Sequence, residues 1–68
     1  MSKYTVLWQY LQKNNQKTIT LSFDEIKNIL GFKIDHSFLN YKKEAINYGY
    51  QVDKILLKNQ RIIFLKNE

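Results

Sequence analysis

The stretch LSFDEIKNILGF, residues 21–32, constrains the fold of this chain more than any other. Ser22 stands three residues before Glu25, the spacing of a capping box. In that motif each side chain satisfies the other's free backbone N–H at the start of a helix. Leu21 before the cap and Ile26 after it have the spacing of a hydrophobic staple. Asp24 and Glu25 fall in the first turn, where the helix dipole favours negative charge. Phe23, Ile26, Ile29 and Leu30 supply an apolar face. Gly31 stands where a left-handed residue ends a helix, with Phe32 as the apolar contact beyond it. The stretch predicts a helix with both ends specified.

The rest of the chain is read around that helix. Tyr4, Leu7, Trp8 and Leu11 recur at i, i+3, i+4 and i+7, which predicts a helix over 3–13 capped by Ser2. TITLS, residues 18–22, alternates, predicting a short strand with Ile19 and Leu21 inward. A third helix is predicted over 36–48, with Asp35 as N-cap and Gly49 as terminator. On a helical wheel its apolar side holds Phe38, Leu39, Tyr41, Ala45 and Ile46, with Lys42 misplaced among them. Either Lys42 lays its stem over the core, or the helix is rotated. YQVDKILLKNQRIIFLK predicts two strands around a turn at Lys58–Gln60, with Ile55, Leu57, Ile62 and Phe64 inward. Leu56 and Ile63 break the alternation, so either both faces are partly covered or a bulge shifts the register.

The predicted fold class is therefore α+β, in the order α-β-α-α-β-β, as a single domain over 1–68. Its three helices pack on a small antiparallel sheet, because the first strand finds partners only in the C-terminal hairpin. GFKI joins the second and third helices as a short turn containing Gly, as in a helix-turn-helix. This is a winged-helix-like arrangement, with the hairpin over 51–66 as the wing.

LSFDEIKNILGF, IDHSFLNYKKEAINYGYQV and the late I-x-F resemble a group of short, uncharacterised bacterial proteins. The shared positions include Leu21, Phe23, Glu25, Ile26, Leu30, Gly31, Phe32, Ser37, Gly49, Val52 and Phe64. Some members carry a Pro near Asp35 and a Trp pair in a longer third helix, and this chain has neither. The resemblance implies a fold and carries no activity. More broadly the chain is similar to winged-helix DNA-binding domains, in which the third helix enters the major groove and the wing touches the backbone.

Composition excludes several classes. At 68 residues with no Cys, no disulfide is available to staple the chain. A hydrophobic content of 44% argues for a core and against disorder. No apolar run approaches the ~20 residues of a membrane span, and Tyr4, Gln9 and Tyr10 interrupt any apolar signal core. A cytoplasmic protein is the expectation. One His cannot hold a metal alone, and no Gly-rich phosphate loop is present. Ser37 and His36 are helix neighbours pointing about 100° apart, not a nucleophile and its base. No enzyme activity, cofactor, metal or small-molecule substrate is expected.

The net charge is +5, from 11 basic and 6 acidic residues. A basic domain meets nucleic acid or acidic surfaces. Ten of its basic residues are Lys, which codon composition in an AT-rich genome also favours. Within a winged-helix-like domain the expected partner is double-stranded DNA. Asn40 and Asn47 are placed to read base edges and Lys43 to reach guanine or phosphate. His36 and Ser37 at the helix start are candidates for phosphate contact, as are Lys54, Lys58 and Arg61 on the hairpin. A polar helix face is also what solvent alone produces. The alternative is a protein-interaction or homodimerisation module, with Val6 and Tyr10 on the outer face of the first helix as the candidate interface. Binding of single strands by stacked aromatics ranks below both, since the rings are needed in the core.

Overall fold

The computed structural model describes residues 2–67, in the order α1 (Thr5–Asn14), β1 (Thr18–Ser22), α2 (Phe23–Leu30), α3 (Ser37–Tyr41), a 3₁₀ helix (Lys42–Tyr48), β2 (Tyr50–Leu56) and β3 (Arg61–Lys66). The strands form one antiparallel sheet in the order β1-β3-β2, so the C-terminal strand is central. The helices cover one sheet face. The layout is α+β and winged-helix-like, as the sequence predicts.

The apolar stripe of α1 is the centre of the core. Tyr4, Leu7, Trp8 and Leu11 are all fully buried. The Tyr4 ring lies 5.5 Å from that of Phe38 in an edge-on arrangement, and Trp8 lies 5.9 Å from Phe38. Such aromatic pairs add roughly 0.5–1.5 kcal/mol beyond their buried area. The helix starts two residues later than predicted. Ser2 caps no helix: its Oγ accepts from the Tyr4 N–H, and its carbonyl from the Thr5 N–H, closing a turn ahead of the first helical residue.

Helix α2 has both predicted ends. Ser22 Oγ accepts from the Glu25 N–H at 3.1 Å, and Glu25 Oε1 accepts from the Ser22 N–H at 3.0 Å. This cap contributes about 1 kcal/mol. The two Ser22 hydrogen bonds hold the Glu25 carboxyl below its ordinary value. Gly31 adopts φ 86°, a left-handed conformation that a side chain would strain, and its N–H closes onto the Lys27 carbonyl. Leu21 and Ile26 are both buried, one on each side of the cap.

The segment predicted as one helix over 36–48 is two. Asp35 does act at its start, with Oδ1 accepting from the Ser37 N–H at 2.9 Å. Only Ser37–Tyr41 is α-helical, and the chain then tightens into the 3₁₀ helix up to Gly49, φ 86°. A 3₁₀ helix has three residues per turn, so residues three apart stack on one row. Lys42, Ala45 and Tyr48 form its inner row: half-buried, buried and half-buried. The change of period accounts for the misplaced Lys42. It also overturns part of the predicted apolar side. Phe38 and Ala45 are core, whereas Leu39, Tyr41 and Ile46 are exposed.

In the hairpin, Asp53 has no partner between Val52, which pairs with Phe64, and Lys54, which pairs with Ile63. This is the bulge the broken alternation allowed. It turns Val52 and Ile55 to the same side although they are three residues apart. Ile62 and Phe64 are buried, but Leu57, expected inward, is 74% exposed in the turn Leu57–Gln60. The strand ends at Leu56, so alternation no longer governs Leu57. Tyr50, not expected in the core, is buried and donates its hydroxyl to the Gln16 carbonyl at 2.6 Å. That burial raises its pKa.

Candidate nucleic-acid interface

Helix α2 leads through residues 31–36 into α3, and polar ties to the start of α1 hold α3. Ser37 Oγ donates to Asp35 Oδ1 at 2.5 Å, and the Tyr4 hydroxyl lies 2.8 Å from Ser37 Oγ. Lys3 reaches Asp35 at 3.3 Å, the one ion pair among the described residues. The Ser37 hydroxyl and backbone N–H, followed by Lys3, hold the Asp35 carboxyl far below the ordinary carboxylate range. Ser37 is therefore half-buried and engaged in tying α3 to α1, and its hydroxyl is not available for the phosphate contact expected of it.

A second tie holds the 3₁₀ helix. The Glu44 carboxylate accepts from Ser2 Oγ and from Trp8 Nε1, the latter at 3.2 Å. These bonds, the Ser2 one foremost, hold its pKa below the ordinary 4.5. A carboxylate depressed in the folded state stabilises fully above its unfolded pKa, and that stability is lost as pH falls through the folded value. Glu25 and Asp35 act in the same direction. Glu44→Gln keeps an acceptor oxygen but cannot titrate. The urea midpoint gap between the parent chain and Glu44→Gln is therefore expected to be larger at pH 7 than at pH 3. A gap that stays the same at both pH values would show that the charge on Glu44 contributes nothing.

The remaining predicted contacts separate into groups. His36, Asn40, Lys43 and Asn47 are all exposed. The 3₁₀ period breaks their single row. Lys43 stays nearly in line with Asn40, but Ile46 takes the place expected of Asn47. Asn47 turns instead towards Thr5, Glu44 and Tyr48, with which it borders a shallow depression. On the hairpin Lys54, Lys58 and Arg61 are exposed. Lys54 pairs with Ile63, and Arg61 is two residues from it, so both project from the sheet face opposite the helices. Lys58 lies at the turn. Its neighbour Leu57 borders one groove with His36 and Leu39, so the hairpin tip stands beside α3. None of Asn40, Lys43, Asn47, Lys54, Lys58 and Arg61 makes a side-chain hydrogen bond or ion pair with another described residue. Val6 and Tyr10 are exposed four residues apart on α1, as expected of that candidate interface.

Sequence reasoning missed three features here. Tyr50 was legible, since alternation from Val52 places it inward. The Glu44 tie and the groove beside α3 join residues distant in the chain, and no local signal marks them.

No protein-family model, curated protein or solved structure matches the chain. Among the described residues, no helix is long and apolar enough to cross a membrane, and no cluster of three or more His, Cys, Asp or Glu is placed to hold a metal.

Proposed function

We propose that this chain is a non-enzymatic domain that binds double-stranded DNA through α3 and the tip of its hairpin. What supports this reading is that the hairpin tip stands beside α3, where Leu57 shares a groove with His36 and Leu39, and that Asn40, Lys43 and Lys58 are exposed and make no side-chain bond to another described residue. Three of the acidic residues, Glu25, Asp35 and Glu44, are occupied by hydrogen bonds within the fold. Lys3–Asp35 is the one ion pair among the described residues, so the other lysines have no carboxylate of the described residues at salt-bridge distance. Asn40 is the candidate for a base edge, and Lys43 for guanine or phosphate. Lys58 contacts the backbone, with Lys54 and Arg61 as longer-range contributors from the other face of the hairpin.

Fluorescence anisotropy with a labelled duplex across a salt series tests this. Each phosphate contact contributes about −0.9 to the slope of log affinity against log salt. Two to four contacts predict a slope of about −2 to −4. An absence of binding at the lowest salt would sink the reading.

A further inference from the structure

The surface between α3 and the hairpin is apolar. Phe23, Ile34, Phe38, Leu39, Ile55 and Leu57 line a groove of about 560 Å³, with Asp35 and His36 at its edge. Two of its apolar residues are open to solvent: Leu39 is 49% exposed and Leu57 is 74% exposed. Two leucines left exposed in the lining of one cleft forgo roughly 25 cal/mol for each Å² left in water. A grouped apolar patch of this kind marks a binding surface more often than isolated exposed residues do.

Lysines outnumber free carboxylates around the groove. Phe23 and Ile34 continue into an adjoining depression lined by Lys27, Lys33, Asp24 and Gln60. At the other end Lys58 follows Leu57 in the hairpin turn, whereas Lys54 projects from the opposite sheet face. Against Lys27, Lys33 and Lys58 stand Asp24 and Asp35. Asp35 is already bound to Ser37 and Lys3. A second copy of this chain would bring the same +5 charge to the cleft, which disfavours self-association there.

We infer that this groove docks an acidic amphipathic segment of another protein, its apolar side chains between Leu39 and Leu57 and its carboxylates against Lys27, Lys33 and Lys58. The mode is a helix laid in a groove, with anchors at i, i+3 or i+4 and i+7. The inference is independent of DNA binding, since it rests on the apolar lining and not on Asn40 or Lys43. The occupant would cover His36 and crowd Lys58, so docking and duplex binding compete.

The test uses the full chain, ¹⁵N-labelled, and two synthetic amphipathic peptides with Leu at the same i, i+3 and i+7 positions. One carries Glu at its polar positions and the other Lys. The Glu peptide is expected to shift the amide resonances of Ile34, Leu39, Ile55 and Leu57. It should bind at least about tenfold more tightly than the Lys peptide, a difference of about 1.4 kcal/mol. Leu57→Ser lies in an exposed turn. It is expected to weaken the Glu peptide about tenfold while the remaining resonances keep their positions. Equal binding of the two peptides, shifts confined to the Val6–Tyr10 face, or unchanged affinity in Leu57→Ser would each overturn the inference. So would concentration-dependent broadening of the groove resonances without peptide, because a second copy would then be the occupant.

Discussion

Trp8→Ala is expected to abolish cooperative folding at 25 °C. Trp8 is fully buried, packs on the rings of Tyr4 and Phe38, and donates its indole N–H to Glu44. Truncating a buried Trp to Ala costs about 3–5 kcal/mol, because the small fold cannot collapse fully into the space. A domain of this length is stable by roughly 3–10 kcal/mol in all, at 0.05–0.15 kcal/mol per residue. The loss also leaves the Glu44 carboxylate with one donor fewer, loosening the 3₁₀ helix against α1. Far-UV circular dichroism during heating and urea titration reads the result. The expected outcome is no cooperative transition, or a midpoint lowered by at least about 12 °C, at 4–8 °C for each kcal/mol. Trp8→Phe retains most of the apolar volume and should fall between the two. A melt of Trp8→Ala within a few degrees of the parent would mean that the core is not organised around α1.

The largest functional effect is expected from reversing two charges on the α3 side. Lys43→Glu combined with Lys58→Glu is predicted to reduce duplex affinity more than tenfold at moderate salt and to lower the salt slope by about 2, roughly one contact for each residue. Both side chains are exposed and bond to no other described residue, so the fold should hold within about 0.5 kcal/mol. Arg61→Glu is the internal comparison. Arg61 projects from the opposite sheet face and lies near enough to Glu25 to help depress its carboxyl. Its replacement should weaken DNA binding less than the double change. Anisotropy titrations of the folded variants decide the matter. A Lys43→Glu/Lys58→Glu chain that binds as the parent does removes α3 and the hairpin tip from the account.

Local signals in the chain carried most of the architecture. The capping box of Ser22 and Glu25, the terminators Gly31 and Gly49, and the alternation of Ile19 and Leu21 all appear in the structure as read. Each depends on residues within a few positions of one another, where backbone hydrogen bonding and period leave little choice. The break in alternation at the hairpin was legible too, although only the pairing of β2 with β3 assigned the bulge to Asp53.

The candidate site was less legible. A wheel at 3.6 residues per turn placed His36, Asn40, Lys43 and Asn47 on one polar side, and that placement assumed a period. Docking of Ala45 and Tyr48 inward, with Glu44 tied to Ser2 and Trp8, accompanies the tightening to three residues per turn, and Asn47 leaves the row. Ser37 looked free because its partners, Asp35 and Tyr4, meet it only when α1 packs across α3.

By itself, the sequence determined the element order, the ends of α2, the stripe of α1 and the excess of positive charge, since each follows from short-range spacing or a simple sum. Only the tertiary structure decided which side each charge occupies, that Leu39 and Leu57 line one groove, and that the third helix changes its period. Those are relations between residues far apart in the chain, and they exist only once long-range packing has set where the elements lie.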